Sequence, residues 1–414
     1  MIKILHFADA HIDIANHGRQ DPQSGFSLRV MDFLKAFDTI VDTAIERKVD
    51  VVIFAGDAYR DRAPVPTIQR EWERRIVRLS RAGILTLLLV GNHDLSPAIG
   101  RAHTLQEFDT LEIPHVIVLD KPRLLRPVDL EGLPLQVMAL PWMSRSRMMA
   151  SLEMDGTRRN EIYEKMGGLL NELVNQWLER DIDPSLPVIL TAHASVEGAM
   201  YGAERSVMLG GDLVLPPVLV KDPRLDYVAL GHIHKSQDLN PDVRPPVIYP
   251  GSIERVDFSE VADEKYFVIA RIDEQKRERA DVEWIKLEGR KFIDKYVRIT
   301  SPEQVMEQLL QALPSPDELA GSIVRLTVEY PREMDSLMDE VVLRQHTSQA
   351  SEFHLVRRPQ MEARLRLPDN AQISSLTPIQ LLDHYWHAAG IEDGLEDLNK
   401  LAGEIMSGGS QENQ

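Results

Sequence analysis

The chain of 414 residues contains no cysteine, and this absence excludes disulfide bonds, thiolate nucleophiles and cysteine-ligated zinc. Long apolar runs are also missing, because no stretch approaches the roughly 20 residues that a membrane-spanning helix needs. Residues 1–5 lead directly into an apolar strand pattern instead of a signal peptide. We therefore expect a cytoplasmic protein with no membrane partner.

An excess of basic residues is absent as well. Lysine and arginine number 47 against 65 aspartates and glutamates, so the formal net charge is −18. This balance argues against a broadly basic surface that binds nucleic acids by charge alone. It does not exclude a phosphodiester substrate, because divalent cations reverse the local field at a site lined by carboxylates.

The first ninety residues alternate between short apolar runs and amphipathic stretches. Runs at 2–8, 49–55 and 84–90 predict buried parallel strands, and the spacing between them predicts helices over 26–48 and 66–82. This βαβαβ order favours a layered α/β fold. Further predicted elements are strands near 115–119, 134–140, 187–192, 226–230, 246–249 and 265–272 and a helix over 157–180.

The pattern changes after about residue 290, where short strands and helices alternate without a cluster of metal ligands. We expect a small α+β cap there, with strands at 295–300, 322–330 and 352–357 and helices at 303–313 and 334–343. The length of the chain agrees with two or three domains. The predicted borders are 1–288 for the α/β domain, 289–358 for the cap, 359–377 for a linker, 378–406 for an amphipathic helix pair and 407–414 for a disordered tail.

Five short polar motifs each follow an apolar strand pattern. They are Asp9-Ala10-His11, Gly56-Asp57, Gly91-Asn92-His93-Asp94, His193 and Gly231-His232-Ile233-His234. Singly, each has an ordinary explanation, because a lone histidine is commonly a satisfied polar residue and a Gly-Asp pair commonly marks a turn. Together, at the ends of strands of one sheet, they predict a hydrolytic site that holds two metal ions.

The ligand types indicate the class of metal. Oxygen and nitrogen donors without sulfur favour Mn, Fe or Zn over Mg or Ca. Asp57 follows a glycine, which lets the backbone approach closely, and its two carboxylate oxygens suit a bridge between two cations. The predicted ligands are Asp9, His11, Asp57, Asn92, His193, His232 and His234.

The order of these motifs over residues 1–272 resembles the calcineurin-like metallophosphoesterase superfamily. The resemblance implies a layered β-sandwich core flanked by helices. It further implies that His93 faces the scissile phosphate, as a proton donor or charge stabiliser, and that Asp94 orients His93 through a carboxylate–imidazole hydrogen bond. The implied ligands are Asp9, His11, Asp57 and His234 for one metal and Asp57, Asn92, His193 and His232 for the other.

Residues around the motifs indicate which members of the superfamily this chain resembles. Serine/threonine protein phosphatases carry Asp-Arg starting three residues after the Gly-Asp carboxylate, whereas in this chain Asp61-Arg62 comes one place later. Residues 54–59, 89–95, 229–235 and 249–255 are similar to SbcD-type nuclease subunits of bacterial SbcCD DNA-repair complexes. This likeness implies two Mn²⁺ per subunit, exonuclease action at duplex DNA ends and endonuclease action on single strands or hairpins. It also implies a homodimer and an SMC-like ATPase partner with a long coiled coil.

Three residues near the motifs are expected to contact the substrate: Arg60, Lys235 and Ser252. A solvated surface charge is the competing explanation for each basic residue, and a plain turn is the competing explanation for the serine. The alternative function is a phosphomonoesterase or phosphodiesterase that acts on nucleotides or phosphoproteins, since the same metal chemistry serves these substrates.

Two apolar stripes also have two explanations each. Leu382 and Trp386 suit contact with the coiled coil of the ATPase, and packing on the cap explains them equally well. Trp72 and Ile76 suit a dimer contact, and burial in the monomer core competes with it.

Overall fold

The computed structural model describes residues 1–95, 102–143, 159–202, 213–275, 278–360, 377–388, 395 and 398–402. The chain forms two compact units. The first contains Met1–Lys295, Pro314–Leu326 and Arg344–His354, and the second contains Tyr296–Leu313, Thr327–Leu343 and Leu355–Gln414. None of the described helices is long and apolar enough to cross a membrane.

The predicted domain borders stay a prediction. Most of the predicted linker, at residues 361–376, lies outside the described residues, as does the whole predicted tail at 407–414. The predicted helix pair is described in part, at 378–388, 395 and 398–402.

Strands and helices alternate along much of the described chain. The strands are β1 (Ile2–Phe7), β2 (Val51–Phe54), β3 (Leu85–Leu89), β4 (Val116–Leu119), β5 (Arg123–Leu125), β6 (Gln136–Leu140), β7 (Val188–His193), β8 (Ser195–Val196), β9 (Val214–Leu215), β10 (Tyr227–Gly231), β11 (Gln237–Asp238), β12 (Val247–Tyr249), β13 (Lys265–Ile272), β14 (Asp281–Leu287), β15 (Phe292–Arg298), β16 (Ile323–Pro331) and β17 (Glu352–Gln360). The α-helices are α1 (Leu28–Arg47), α2 (Pro66–Arg81), α3 (Gln106–Thr110), α4 (Arg159–Gln176), α5 (Pro217–Val220), α6 (Val305–Ala312), α7 (Glu340–His346) and α8 (Pro378–Ala388). Phe258–Glu260 and Arg332–Leu337 form 3₁₀ turns, and Trp177–Asp181 forms a π-helical turn.

Two six-stranded sheets lie in the first unit. Their strand orders are β14-β13-β1-β2-β3-β4 and β11-β12-β10-β7-β6-β5. In the first sheet β1 to β4 run parallel, and in the second β6, β7, β10 and β12 run parallel. The remaining strands pair as β8-β9 and as β15-β16-β17.

Alternate side chains of the central strands pack into different cores, because successive residues of a strand face opposite sides. Ile4 and Ile53 of the first sheet share a core with Ile189 of the second sheet, so the two sheets face each other. Leu5 and Val52 belong instead to a core formed with α1 and α2. A third core joins the second sheet to α4. The predicted fold class, a layered β-sandwich flanked by helices, is confirmed.

One local prediction needs correction, and one edge strand was not predicted. The expected single helix over 334–343 is replaced by a 3₁₀ turn and then α7. A new helix begins after Asp339, whose carboxylate accepts the N–H of Val341 at 2.9 Å. The sequence pattern does not predict β14, because it is an edge strand in which polar residues blur the alternation of apolar positions.

Trp72 and Ile76 on α2 lie in the core of the first unit. Both side chains are fully buried, and the Trp72 ring lies 4.7 Å from that of Phe37 and 4.8 Å from that of Phe54. Of the two explanations that the sequence left open for these residues, the structure supports burial in the monomer core.

Candidate metal centre

The five polar motifs lie where parallel strands end. β1, β2 and β3 are followed by Asp9, Asp57 and Asn92, and the two strands β7 and β10 end at His193 and just before His232. Because the carboxyl ends of parallel strands meet at one edge of a sheet, these side chains share the edge of the sandwich. Backbone hydrogen bonds join the first two loops, from the N–H of Asp9 to the carbonyl of Gly56 at 2.9 Å.

Two glycines allow the loops to approach this closely. A side chain at Gly91 would place its Cβ 2.1 Å from Oδ1 of Asp57, and one at Gly231 would place it 2.1 Å from the carbonyl oxygen of Ala55. Neither space can hold a Cβ atom, so only glycine fits where these loops cross. This explains two glycines of the motifs that carry no ligand atom.

Three side chains form the first group of candidate ligands. Donor atoms of Asp9, His11 and His234 all lie within 4.8 Å of one another, and all three residues are buried. The Nε2 atoms of His11 and His234 are 3.2 Å apart. The carboxylate of Asp9 is held by the backbone N–H of His232 at 3.0 and 3.1 Å from its two oxygens.

A second group lies beside the first. Donor atoms of Asp57, His193 and His232 lie within 4.8 Å of one another. Oδ1 of Asn92 is 3.0 Å from Nε2 of His193 and 2.9 Å from Nδ1 of His232. All seven predicted ligands therefore meet at this edge.

Asp57 lies between the two groups. Its Oδ2 atom is 3.4 Å from Nε2 of His193 in the second group and 3.9 Å from Nε2 of His11 in the first. A carboxylate this close to both groups would suit a bridge between two cations.

The protonation states suit cation binding. Nδ1 of His11 faces the carbonyl oxygen of Tyr59 and Nδ1 of His234 faces the carboxylate of Glu260, so in the neutral rings both Nδ1 atoms carry the proton. Both Nε2 lone pairs then point at the same place. Burial lowers the pKa of His11 well below its usual value, which keeps this lone pair available.

The second group attracts positive charge. Burial alone would favour a neutral ring at His193, but the neighbouring Asp57 carboxylate outweighs it and raises the pKa of His193 to about 9. The Asp57 carboxylate that keeps a proton on His193 also suits a divalent cation, which would displace that proton on binding. The donor set therefore fits divalent metal.

His93 lies beside the ligands without joining either group. Its backbone N–H donates to Oδ1 of Asp57 at 2.8 Å. Its ring Nδ1 lies 2.8 Å from the carbonyl oxygen of Arg60, which can only accept, so Nδ1 carries a proton and Nε2 is left to face the cleft. Burial lowers the pKa of His93.

The carboxylate of Asp94 does not make the hydrogen bond to the His93 ring that the resemblance implies. Its carboxylate accepts three backbone N–H groups, from Gly91 at 2.8 Å and from Asp57 and Ala58 at 2.9 Å each. The expected bond from Asp94 to the His93 ring is replaced by the contact with Arg60. Asp94 thus fixes the loops that carry Asp57 and Asn92, because a buried carboxylate needs N–H partners and the backbone supplies them.

The three predicted substrate residues have different surroundings. Arg60 is exposed and lines a cleft of about 710 Å³ together with His93 and Arg62. Lys235 is half-buried next to His234 and does not line this cleft. Ser252 is fully buried, and its hydroxyl donates to the carbonyl of Glu254 and accepts from Nζ of Lys265. Substrate contact by Ser252 is therefore not supported, since its hydroxyl is used inside the protein.

Several functional contacts have no signal in the sequence. Glu260 and Lys265 support His234 from 26 and 31 residues further along the chain. Asp13 accepts the N–H groups of Arg60 and Asp61. Trp142 stacks at 5.1 Å from the ring of His232, and its place just after β6 is the one available clue, since the other motifs also follow strands.

Comparison with known proteins identifies the family. A model described as calcineurin-like phosphoesterase matches residues 2–236, which is more than half of the chain. The chain belongs to the calcineurin-like phosphoesterase family. The predicted enzyme class, a metal-dependent phosphodiesterase of the hydrolases, is confirmed.

Three relatives show which members of the family this chain is similar to. The DNA double-strand break repair protein Mre11 of Archaeoglobus fulgidus is 24% identical over 96% of this chain and 88% of its own length. The SbcD subunit of the SbcCD nuclease from Escherichia coli K12 is 25% identical over 68% of this chain and 67% of its own. The SbcD subunit of Rhodobacter capsulatus is 30% identical over 58% and 59%. The resemblance to SbcD-type subunits is confirmed.

The residues of this site suit cation binding, activation of a phosphoryl group and water, and proton transfer. Asp9, His11, Asp57 and His234 would hold one divalent cation, and Asp57, Asn92, His193 and His232 the other. Cations bound by these residues would supply Lewis acidity toward a phosphoryl group and toward water. His93 lines the cleft, and in its imidazolium form Nε2 would give a proton to a leaving oxygen or stabilise charge on the phosphoryl group.

Asp13 gives a first test of how this phosphoesterase positions its histidines. Its carboxylate holds the loop whose carbonyls, at Tyr59 and Arg60, fix the rings of His11 and His93. We expect Asp13→Ala to lower kcat for bis(p-nitrophenyl) phosphate by about 10–100-fold, because the His93 ring loses its fixed direction. With Mn²⁺ in excess, metal content should stay at the wild-type value even though the support of His11 is loosened as well. Asp61→Asn is the control, since it removes a negative charge from the same cleft and keeps an oxygen for the N–H of Ala63. Equal kcat for Asp13→Ala and wild type would contradict the role of this loop.

Proposed function

We propose that the chain is a two-metal DNA nuclease that processes DNA ends in double-strand break repair. It acts as an exonuclease on duplex ends and as an endonuclease on single strands and hairpins. The observation that carries the proposal is the pair of buried ligand groups joined at Asp57, with His93 beside them in an open cleft. The relatives named as nuclease and as break-repair proteins support DNA as the substrate.

The residues of the cleft suit a DNA phosphodiester. Arg60 and Arg62 offer positive charge beside His93 that can neutralise phosphates. Asp13, Asp61 and Asp257 line the same cleft. The cleft is also open, which a polymeric substrate requires. Lys235 is retained as a candidate contact for a phosphate further along the strand.

The proposal includes a metal, two partners and a location. Manganese fits a donor set of mixed oxygen and nitrogen atoms. An SMC-like ATPase is the proposed partner of α8, where Leu382 and Trp386 are partly exposed. A homodimer of the chain and a cytoplasmic location complete the proposal.

The test is digestion of end-labelled DNA by the full chain. Linear duplex, hairpin and single-stranded DNA are incubated with Mn²⁺, with and without the ATPase subunit, and a chelator control is included. We expect cleavage of hairpin and single-stranded DNA by the chain alone. Degradation from duplex ends should increase with the ATPase, and the chelator should stop every cleavage.

The alternative function has a distinct outcome in the same experiment. Mononucleotides and a phosphopeptide are added as separate substrates under identical conditions. Hydrolysis of these compounds with no strand cleavage of any DNA would overturn the proposal and favour a phosphatase. Strand cleavage that persists at full rate with the chelator would contradict a metal-dependent nuclease.

A further inference from the structure

A buried ion pair lies directly behind one ligand histidine. Oε1 of Glu260 is 2.9 Å from Nδ1 of His234, and Oε2 is 2.7 Å from Nζ of Lys265. Glu260 is 2% exposed and Lys265 1%. The backbone N–H of Val256 also donates to Oε2 at 2.9 Å, so both carboxylate oxygens have partners.

Lys265 contacts the same histidine a second time. Its Nζ donates to the backbone carbonyl of His234 at 3.2 Å and to the hydroxyl of Ser252 at 2.7 Å. The N–H of Ser252 donates to that carbonyl as well, at 3.1 Å. Glu260 therefore holds the ring of His234, while Lys265 and Ser252 hold its backbone.

Two other ligand rings, those of His11 and His193, are supported differently. Nδ1 of His11 and Nδ1 of His193 face the backbone carbonyls of Tyr59 and Ala55. A carboxylate that accepts the proton of Nδ1 makes Nε2 a stronger electron-pair donor to a metal ion than a neutral carbonyl does. A buried ion pair is also weak evidence for stability, because desolvation cancels much of the attraction, so the pair needs another explanation.

We propose that Glu260 and Lys265 are positioning residues for His234, and that they set the affinity of the cation site formed by Asp9, His11 and His234. The site of Asp57, Asn92, His193 and His232 is independent of them. The inference rests on the metal centre of the proposed function and not on DNA as the substrate.

The test measures binding of Mn²⁺ to the metal-stripped full chain by calorimetry. The wild type should bind two ions. Glu260→Gln should bind one ion as the wild type does and the other about 10–100-fold more weakly. The control is Glu264→Gln, the same change at an exposed position four residues away that contacts Lys286 and not His234. It should bind two ions with wild-type affinities.

A double variant separates positioning from folding. Glu260→Gln alone leaves the Lys265 ammonium buried without its carboxylate, so its Tm should fall. Glu260→Gln combined with Lys265→Met removes both charges, and Tm should recover while the second ion stays weakly bound. The spectroscopic signature is the electron paramagnetic resonance of a coupled manganese pair, which both variants should lose at an Mn²⁺ concentration that fills the wild type.

The outcomes separate this inference from the proposed function. Two ions bound at wild-type affinity by Glu260→Gln or by the double variant would overturn the role of Glu260. Weakening by Glu264→Gln to the same extent would overturn its specificity. A wild-type chain that binds fewer than two ions would instead contradict the two-metal centre itself.

Discussion

Replacement of His93 by glutamine is expected to lower the rate of DNA strand cleavage by about 10²–10⁴-fold while the chain still binds two cations. His93 lines the cleft and its Nδ1 is fixed by the carbonyl of Arg60, so Nε2 of the imidazolium form can hold a proton close to a leaving oxygen. Glutamine can donate a hydrogen bond from a similar position, but it cannot transfer a proton near neutral pH.

Metal binding should survive this change for a structural reason. His93 contacts the ligand groups through its backbone N–H, which donates to Oδ1 of Asp57, and glutamine keeps that group. The side chain belongs to neither group of ligands. Loss of activity with unchanged metal content would therefore assign His93 to the chemical step.

The measurement is the single-turnover rate on hairpin DNA, together with metal content by mass spectrometry. His115→Gln is the matched control, because the ring of His115 contacts Glu131 on another part of the unit. It should cleave at the wild-type rate. A His93→Gln variant that cleaves as fast as this control would remove His93 from the mechanism.

The ligands could be predicted because their positions depend on strand periodicity alone. β2 and β3 are uninterrupted buried runs and β1 is interrupted only at the half-buried Lys3, so the residues just after these strands must lie at one edge of a parallel sheet. The short spacing of Asp9 from His11 and of His232 from His234 then leaves little freedom. Such local rules were sufficient for a layered α/β fold and for the convergence of the ligands, whereas the sandwich was implied by the family resemblance.

The contacts behind the ligands could not be predicted. The direction of the Asp94 carboxylate depends on where the backbone of Asp57 runs, and that loop comes from a strand 37 residues earlier. Glu260 reaches His234 from a 3₁₀ turn that sequence periodicity does not reveal. The contact between the Ser252 hydroxyl and Lys265 of β13 is likewise not visible in the sequence.

Replacement of Asp57 by asparagine should have an equally large effect through the loss of metal. Two divalent cations roughly 4 Å apart repel each other strongly, and the carboxylate between them offsets part of that repulsion. A neutral amide cannot do this. We expect the affinity for at least one ion to fall by about 100-fold or more, because removing a direct ligand should cost at least as much as removing its support.

The two large predictions differ in what restores activity. Raising Mn²⁺ should partly rescue Asp57→Asn, because its defect is occupancy, but it should leave His93→Gln inactive. Asp281→Asn is the matched control, since Asp281 is exposed and pairs with Arg271 on β13. Calorimetry and cleavage rates over a series of Mn²⁺ concentrations measure both effects. Wild-type affinity for two ions in Asp57→Asn would contradict the bridging position of Asp57, and the two ligand groups would then have to bind their cations independently.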